Sequence, residues 1–205
     1  VAVLTNAYTT TASVAQALGI SDSDDDGRID DAIKAASRQI DDHCGRKFWQ
    51  DTDVVVRTYF PDTSHTVVVD DISTTTGLIV KIDDDDDGTY ETTLTINTDF
   101  IVEPINAAAE YPVRPYTWLT MVDNYTFPRW GRRPSVQVTA RFGWPAVPDE
   151  VTKACRIQAK NLYKADAGTF SGFQLSAEAG IVMRTPGLDP VARDLLESYR
   201  RVWIG

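Results

Sequence analysis

The feature that most constrains this chain is a double change of hydrophobic period. Apolar residues recur at helical spacing near both ends, and between them the period falls to two. From Asp26 to His43, Ile29, Ile33, Ala36 and Ile40 form one stripe, with Asp residues in the first turn and Gly45-Arg46 as a stop. A shorter helix is expected after Thr9-Thr10-Thr11, carried by Val14, Ala15 and Leu18 and ended by Gly19. From Asp51 to Phe142, short β-branched and aromatic runs alternate with turn residues: 54–59, 66–69, 78–82, 89–96, 118–122 and 135–142. Asp87-Gly88 tolerates the positive φ of a tight hairpin. No helix-length pattern separates these runs, so an antiparallel sheet is expected rather than βαβ units.

Helical spacing returns after Pro148. Asp149 and Glu150 suit a helix N-terminus, Val151, Ala154, Cys155, Gln158 and Leu162 share a face, and Gly168 is a candidate stop. Residues 169–187 read as a loop or loose hairpin. A last helix starts near Asp189-Pro190, with Val191, Leu195, Tyr199, Val202 and Trp203 on its apolar side. The fold class is therefore α+β: a four-helix core from 1–50 and 143–205, and an antiparallel β-rich insertion, 51–142, between helices 2 and 3.

Charge is unevenly spread. The net value is −10, but residues 1–110 carry 7 basic and 22 acidic side chains, and residues 111–205 carry 13 and 8. A uniformly basic nucleic-acid binder is excluded. The polarity suits either a solvated acidic surface or subunits whose acidic part meets a neighbour's basic part. No apolar run is long enough to span a membrane, and Val1 to Ala7 shows no secretory pattern. Cys44 and Cys155, far apart in sequence, are expected to be buried free thiols made in a reducing compartment.

The sharpest chemical motif is the run from Asp22 to Asp30, which matches the opening of an EF-hand loop. Asp22, Asp24 and Asp26 alternate, Gly27 holds the sixth position and Ile29 the eighth. The twelfth position, where a bidentate Glu closes such a loop, is Ile33. Asp22, Asp24, Asp26 and Asp30 are thus an incomplete calcium set, and the alternative function is a calcium-regulated protein-binding module. The second run, Asp83 to Asp87, lacks the alternation and reads as a solvated hairpin tip. His43 beside Cys44 has neither metal-ligand spacing nor a convergent geometry on a helix. No phosphate-cradling loop or nucleophile elbow is present, so no catalytic residue or cofactor is assigned. Two sets are candidate subunit or partner contacts. One is the basic stripe Lys153, Arg156, Lys160 and Lys164; the other is Arg129, Trp130, Arg132 and Arg133 in a Pro/Gly-rich loop.

The stretch from Asp30 to Phe48, with its Ala-Ala-Ser, Ile-Asp and Cys-Gly-Arg-Lys-Phe elements, resembles the signature of tailed-phage head-to-tail connector (adaptor) proteins. Val138 to Val151 is similar to the strand-then-helix segment that ends that family's β insertion, and Asp189 to Arg200 to its last helix. The resemblance implies a non-catalytic subunit of a ring, usually twelvefold. It implies a place in the virion neck after synthesis in the host cytoplasm, between the portal and a stopper or tail protein. DNA is expected to pass through such a ring without sequence-specific binding. Tyr199, Trp203 and Ile204 are the positions implied for docking on the portal.

Overall fold

The computed structural model describes residues 5–166, 173–176, 180–183 and 187–201. The chain forms two compact units, one from Val1–Lys47 with Val147–Gly205 and one from Phe48–Ala146.

The first unit holds four α-helices among the described residues: α1 (Thr11–Leu18), α2 (Asp26–Cys44), α3 (Asp149–Asp166) and α4 (Pro190–Leu196). Thr10 caps α1 by accepting from the Ser13 N–H, and Gly19, at φ 76°, ends it. The stripe of α2 is buried as its spacing demands, with Ile29, Ile33, Ala36 and Ile40 all fully inaccessible. Gly45, at φ 64°, turns the chain out of α2 and donates to the Asp41 carbonyl at 2.8 Å. α2 packs on α3, α3 on α4, and α1 on both α2 and α3.

A buried amide joins three of these pieces. The Gln158 side chain, 2% exposed, donates to Gln39 Oε1 at 2.7 Å and to the Gly187 carbonyl at 3.3 Å, and accepts from the Asp189 N–H at 2.9 Å. Asp189 then caps α4 by accepting from the N–H groups of Val191 and Ala192. Burial without partners would cost this amide several hydrogen bonds, so the network sets where α4 begins.

The apolar side of the last helix differs from the expectation. Val191 is 57% exposed and Leu195 half-buried, whereas Ala192, Leu196 and Tyr199 are buried. The α-helix stops at Leu196 and a 3-10 turn, Glu197–Tyr199, follows. Ala192, Leu196 and Tyr199 stand at i, i+4 and i+7, so one helical face, next to the one expected, is the buried one. In α3 the buried face takes Ala159 and Tyr163, with Leu162 only half-buried. Between α3 and α4, β8 (Phe173–Ser176) and β9 (Gly180–Met183) pair as an antiparallel hairpin. Gly168, Val202 and Trp203 lie outside the described residues.

The second unit follows α2 and precedes α3. Its strands are β1 (Val55–Tyr59), β2 (Thr66–Ile72), β3 (Ile79–Ile82), β4 (Thr92–Leu94), β5 (Phe100–Glu103), β6 (Tyr116–Met121) and β7 (Val136–Ala140). They form two antiparallel sheets, ordered β1-β7-β3-β4 and β2-β6-β5. Val67, Val69, Leu119, Met121 and Phe100 from one sheet share a core with Val80, Ile82, Leu94, Val136 and Val138 from the other. β5 was not expected from the sequence, and the 89–96 run shrinks to three residues of strand. A tight turn at Asn97, φ 66°, with Asp99 accepting from the Thr95 N–H at 2.7 Å, divides what reads as one long run and its continuation.

One glycine in this unit is obligatory. A Cβ on Gly143 would stand 1.8 Å from the Trp49 carbonyl oxygen, and its φ is 107°. The Gly143 N–H donates to the Asp71 carbonyl at 2.7 Å, and the neighbouring Trp144 Nε1–H donates to Asp71 Oδ2 at 3.2 Å while its ring packs on Phe48. The Phe142-Gly143-Trp144 run thus locks the exit of β7 against the chain that enters the β unit.

Candidate functional site

The candidate calcium loop does not assemble around a point. α2 begins at Asp26, which places Gly27 inside the first helical turn instead of at a sharp bend. The carboxylates have other tasks. Asp22 Oδ1 accepts from the Asp24 N–H at 3.2 Å. Asp25 accepts from Tyr163 Oη at 2.7 Å and pairs with Arg28 at 3.2 Å. Asp30 is buried and accepts from the Thr11 hydroxyl, and Ile33 is in the core. Among the described residues, the acidic group whose oxygens come within reach of one point is instead Asp83, Asp85 and Glu91.

The Asp83–Asp87 run is the tip between the paired strands β3 and β4, exposed at Asp84, Asp85 and Asp87 as expected, and ordered around one buried carboxylate. Asp83 is 1% exposed, and its two oxygens accept from the N–H groups of Asp86 at 2.8 Å and Gly88 at 2.9 Å. Its own N–H donates to the Ser135 carbonyl at 3.0 Å. Asp87 accepts from the Thr89 N–H, and that bond holds its carboxyl below the usual range. The basic loop folds back onto this turn. Asp86 accepts from the backbone N–H groups of Arg132 and Arg133, each at 3.3 Å, and the Arg133 guanidinium donates to the carbonyls of Asp86 and Asp87. Gly131 permits the approach: a Cβ there would meet Asp86 Oδ1 at 2.4 Å. Arg133 is thus tied to the chain's own acidic turn by its guanidinium and Arg132 by its backbone N–H, and all four candidate contact residues, Arg129, Trp130 (66% exposed), Arg132 and Arg133, are exposed.

The basic stripe of α3 is split. Lys153 and Arg156 are exposed, and Lys160 and Lys164 half-buried. Arg156 and Lys160 line a shallow groove with Ser13, Gln16 and Ala17 of α1. Tyr199 is corrected from docking residue to core residue: it is 8% exposed, and its hydroxyl donates to Glu150 at 2.8 Å. Trp203 and Ile204 lie outside the described residues.

The thiols are ill suited to nucleophilic or redox chemistry. Burial pushes Cys44 up to about 12 and Cys155 up to about 11, and Cys155 Sγ lies 3.4 Å from the Ser37 hydroxyl. Burial, then the nearby Arg200, lowers His43 from its ordinary value. Sequence reasoning missed Asp41, whose carboxyl burial raises to about 6. Tyr8 donates its hydroxyl to Asp41, and Arg38 Nε pairs with it at 3.0 Å. The signal was available only in part, since Arg38 and Asp41 are helical neighbours but Tyr8 arrives from outside the helix.

Comparison with known proteins gives two agreeing results. Residues 9–79 match the family model described as phage gp6-like head-tail connector protein. No curated protein matches the chain in sequence. In fold, the whole chain is similar to a chain in the neck of an empty GTA particle computed with C6 symmetry, with TM-score 0.58, 15% identity and 96% of that chain covered. It is similar to a chain in the neck of a native GTA particle computed with C12 symmetry, with TM-score 0.57, 14% identity and the same coverage. A third match is to a chain of the virion of a native gene transfer agent (GTA) particle, at TM-score 0.55 and 17% identity, again over all of this chain and 96% of that one. Residues 9–79 are thus similar in sequence to the phage head-tail connector proteins, and the whole chain is similar in fold to chains of a particle neck.

Proposed function

We propose that this chain is a non-enzymatic ring subunit of a virion neck, an adaptor that joins the portal to a stopper or tail protein. The observation that supports this best is end-to-end similarity in fold to neck chains, together with the connector match over residues 9–79. Neck particles computed with C12 and C6 symmetry support a homo-oligomeric ring, of twelve copies in this reading. DNA passes through such a ring without sequence-specific binding. A net charge of −10 suits a conduit that must not hold its cargo. Trp203 and Ile204 are assigned to portal docking, and Arg129, Trp130, Arg132, Arg133, Lys153, Arg156, Lys160 and Lys164 to contacts with neighbouring subunits or partners.

The test is co-expression with the portal protein from the same genome, followed by negative-stain imaging. The reading expects a second ring stacked on the portal ring. Bare portal rings, with the chain left at monomer size, would overturn it.

A further inference from the structure

The β unit has two outer faces, because its two sheets turn their inner faces to one core. On one of them the register sets Val56 of β1 beside Thr139 of β7 beside Ile79 of β3. These alternate with the buried Val138 and Val80, so they point away from the core. Val56 is 55% exposed and Ile79 45%, and Val54, 47% exposed, extends the patch beside Gly77. The next outward row carries Lys81, beside Gln137. On the other sheet the outward row is Val68 of β2, Trp118 of β6 and Glu103 of β5, and Trp118 is 40% exposed.

One unit therefore carries an aliphatic patch bordered by a lysine on one outer face. The opposite face carries an aromatic-aliphatic patch bordered by a glutamate. A subunit in a closed ring needs two different surfaces, one for each neighbour, since the contact is head-to-tail. We propose that the outer face of the β1-β7-β3 sheet in one copy docks on the outer face of the β2-β6-β5 sheet in the next. Val54, Val56 and Ile79 cover Trp118 and Val68, and Lys81 meets Glu103. This rests on the ring reading and adds the contact that closes the ring. Burial of the Trp at the centre supplies affinity, and the opposite charges fix the register.

The full chain is assembled at rising concentration, alone and with its portal, and ring formation is followed by mass photometry. V56D is expected to raise the midpoint concentration for ring formation at least tenfold. K81E and E103K are each expected to raise it threefold or more, and the K81E/E103K double swap to return it to within twofold of the parent chain. The thermal midpoints of the isolated subunits should stay within about 2 °C of one another, because these side chains lie outside the core. If V56D fails to fold, the charge swaps carry the test. Variants that assemble like the parent, or a double swap no better than the singles, would overturn this contact and leave the ring reading standing. A parent chain that forms no ring under either condition would overturn both.

Discussion

At the scale of single residues, two positions tie the sequence to stability in ways that can be measured. Gly143 combines a positive φ with a backbone oxygen 1.8 Å from where a side chain would begin. G143A is expected to cost more than about 3 kcal/mol, or to leave no folded chain, in urea unfolding. A loss below about 1 kcal/mol would show that Trp49 and Asp71 can move apart at little cost. Asp41 makes a pH-dependent contribution of unusual sign. Its folded-state value of about 6 lies above the ordinary 3.8, so between those two values the folded chain holds more protons than the unfolded one. Its contribution to stability accordingly falls as pH rises through that window. The effect is on the order of 1–3 kcal/mol, reduced by whatever solvent reaches the carboxylate. Comparing parent and D41N by urea unfolding from pH 4 to pH 7 isolates it, with the parent expected to lose stability relative to D41N on going up. Parallel curves would mean that Arg38 and Tyr8 fully offset the burial.

At the scale of elements, two polar side chains decide where pieces of chain begin. Q158A removes the acceptor for the Asp189 N–H and the donor to Gln39, and is expected to cost about 2–3 kcal/mol. Its α4 amides should also exchange faster with solvent, whereas unchanged exchange would mean that α4 is held by its apolar side alone. D83A removes the acceptor of two turn amides. Hydrogen exchange at Asp86 and Gly88 is expected to speed up by at least tenfold, and unchanged rates would assign the turn to Asp86 and the basic loop instead. The helices were legible because the Ile29, Ile33 and Ile40 stripe and the glycine stops are local signals. β5 was not, since a turn at Asn97 and four strand residues leave too short a pattern to separate from the run before it. The face of α4 was misjudged because Val191, Leu195 and Tyr199 offer one helical stripe and Ala192, Leu196 and Tyr199 an adjacent one, and spacing alone does not choose between them. The bonds that order the acidic turn were not legible either, because its partners at 131–135 lie more than forty residues further on.

At the scale of the whole molecule, the candidate site was less legible than the fold. The Asp22–Asp30 motif satisfies a ligand spacing in one dimension, yet the helix starts too early for its carboxylates to converge. Tyr199, which the family resemblance implied for docking, is used inside the helical unit. What the sequence did carry was the order of the elements and the motifs at the borders of the β unit, and the Asp30–Phe48 motif lies within the residues that match the connector family. The central claim is that copies of this chain close into a ring on a portal. Cryo-electron microscopy of the chain co-purified with its portal tests it most directly. A ring of twelve copies stacked on the portal is expected, with the β unit of each copy touching the β unit of the next. Portal rings without added density would contradict it, whereas a ring whose β units stay apart would overturn only the contact between sheets.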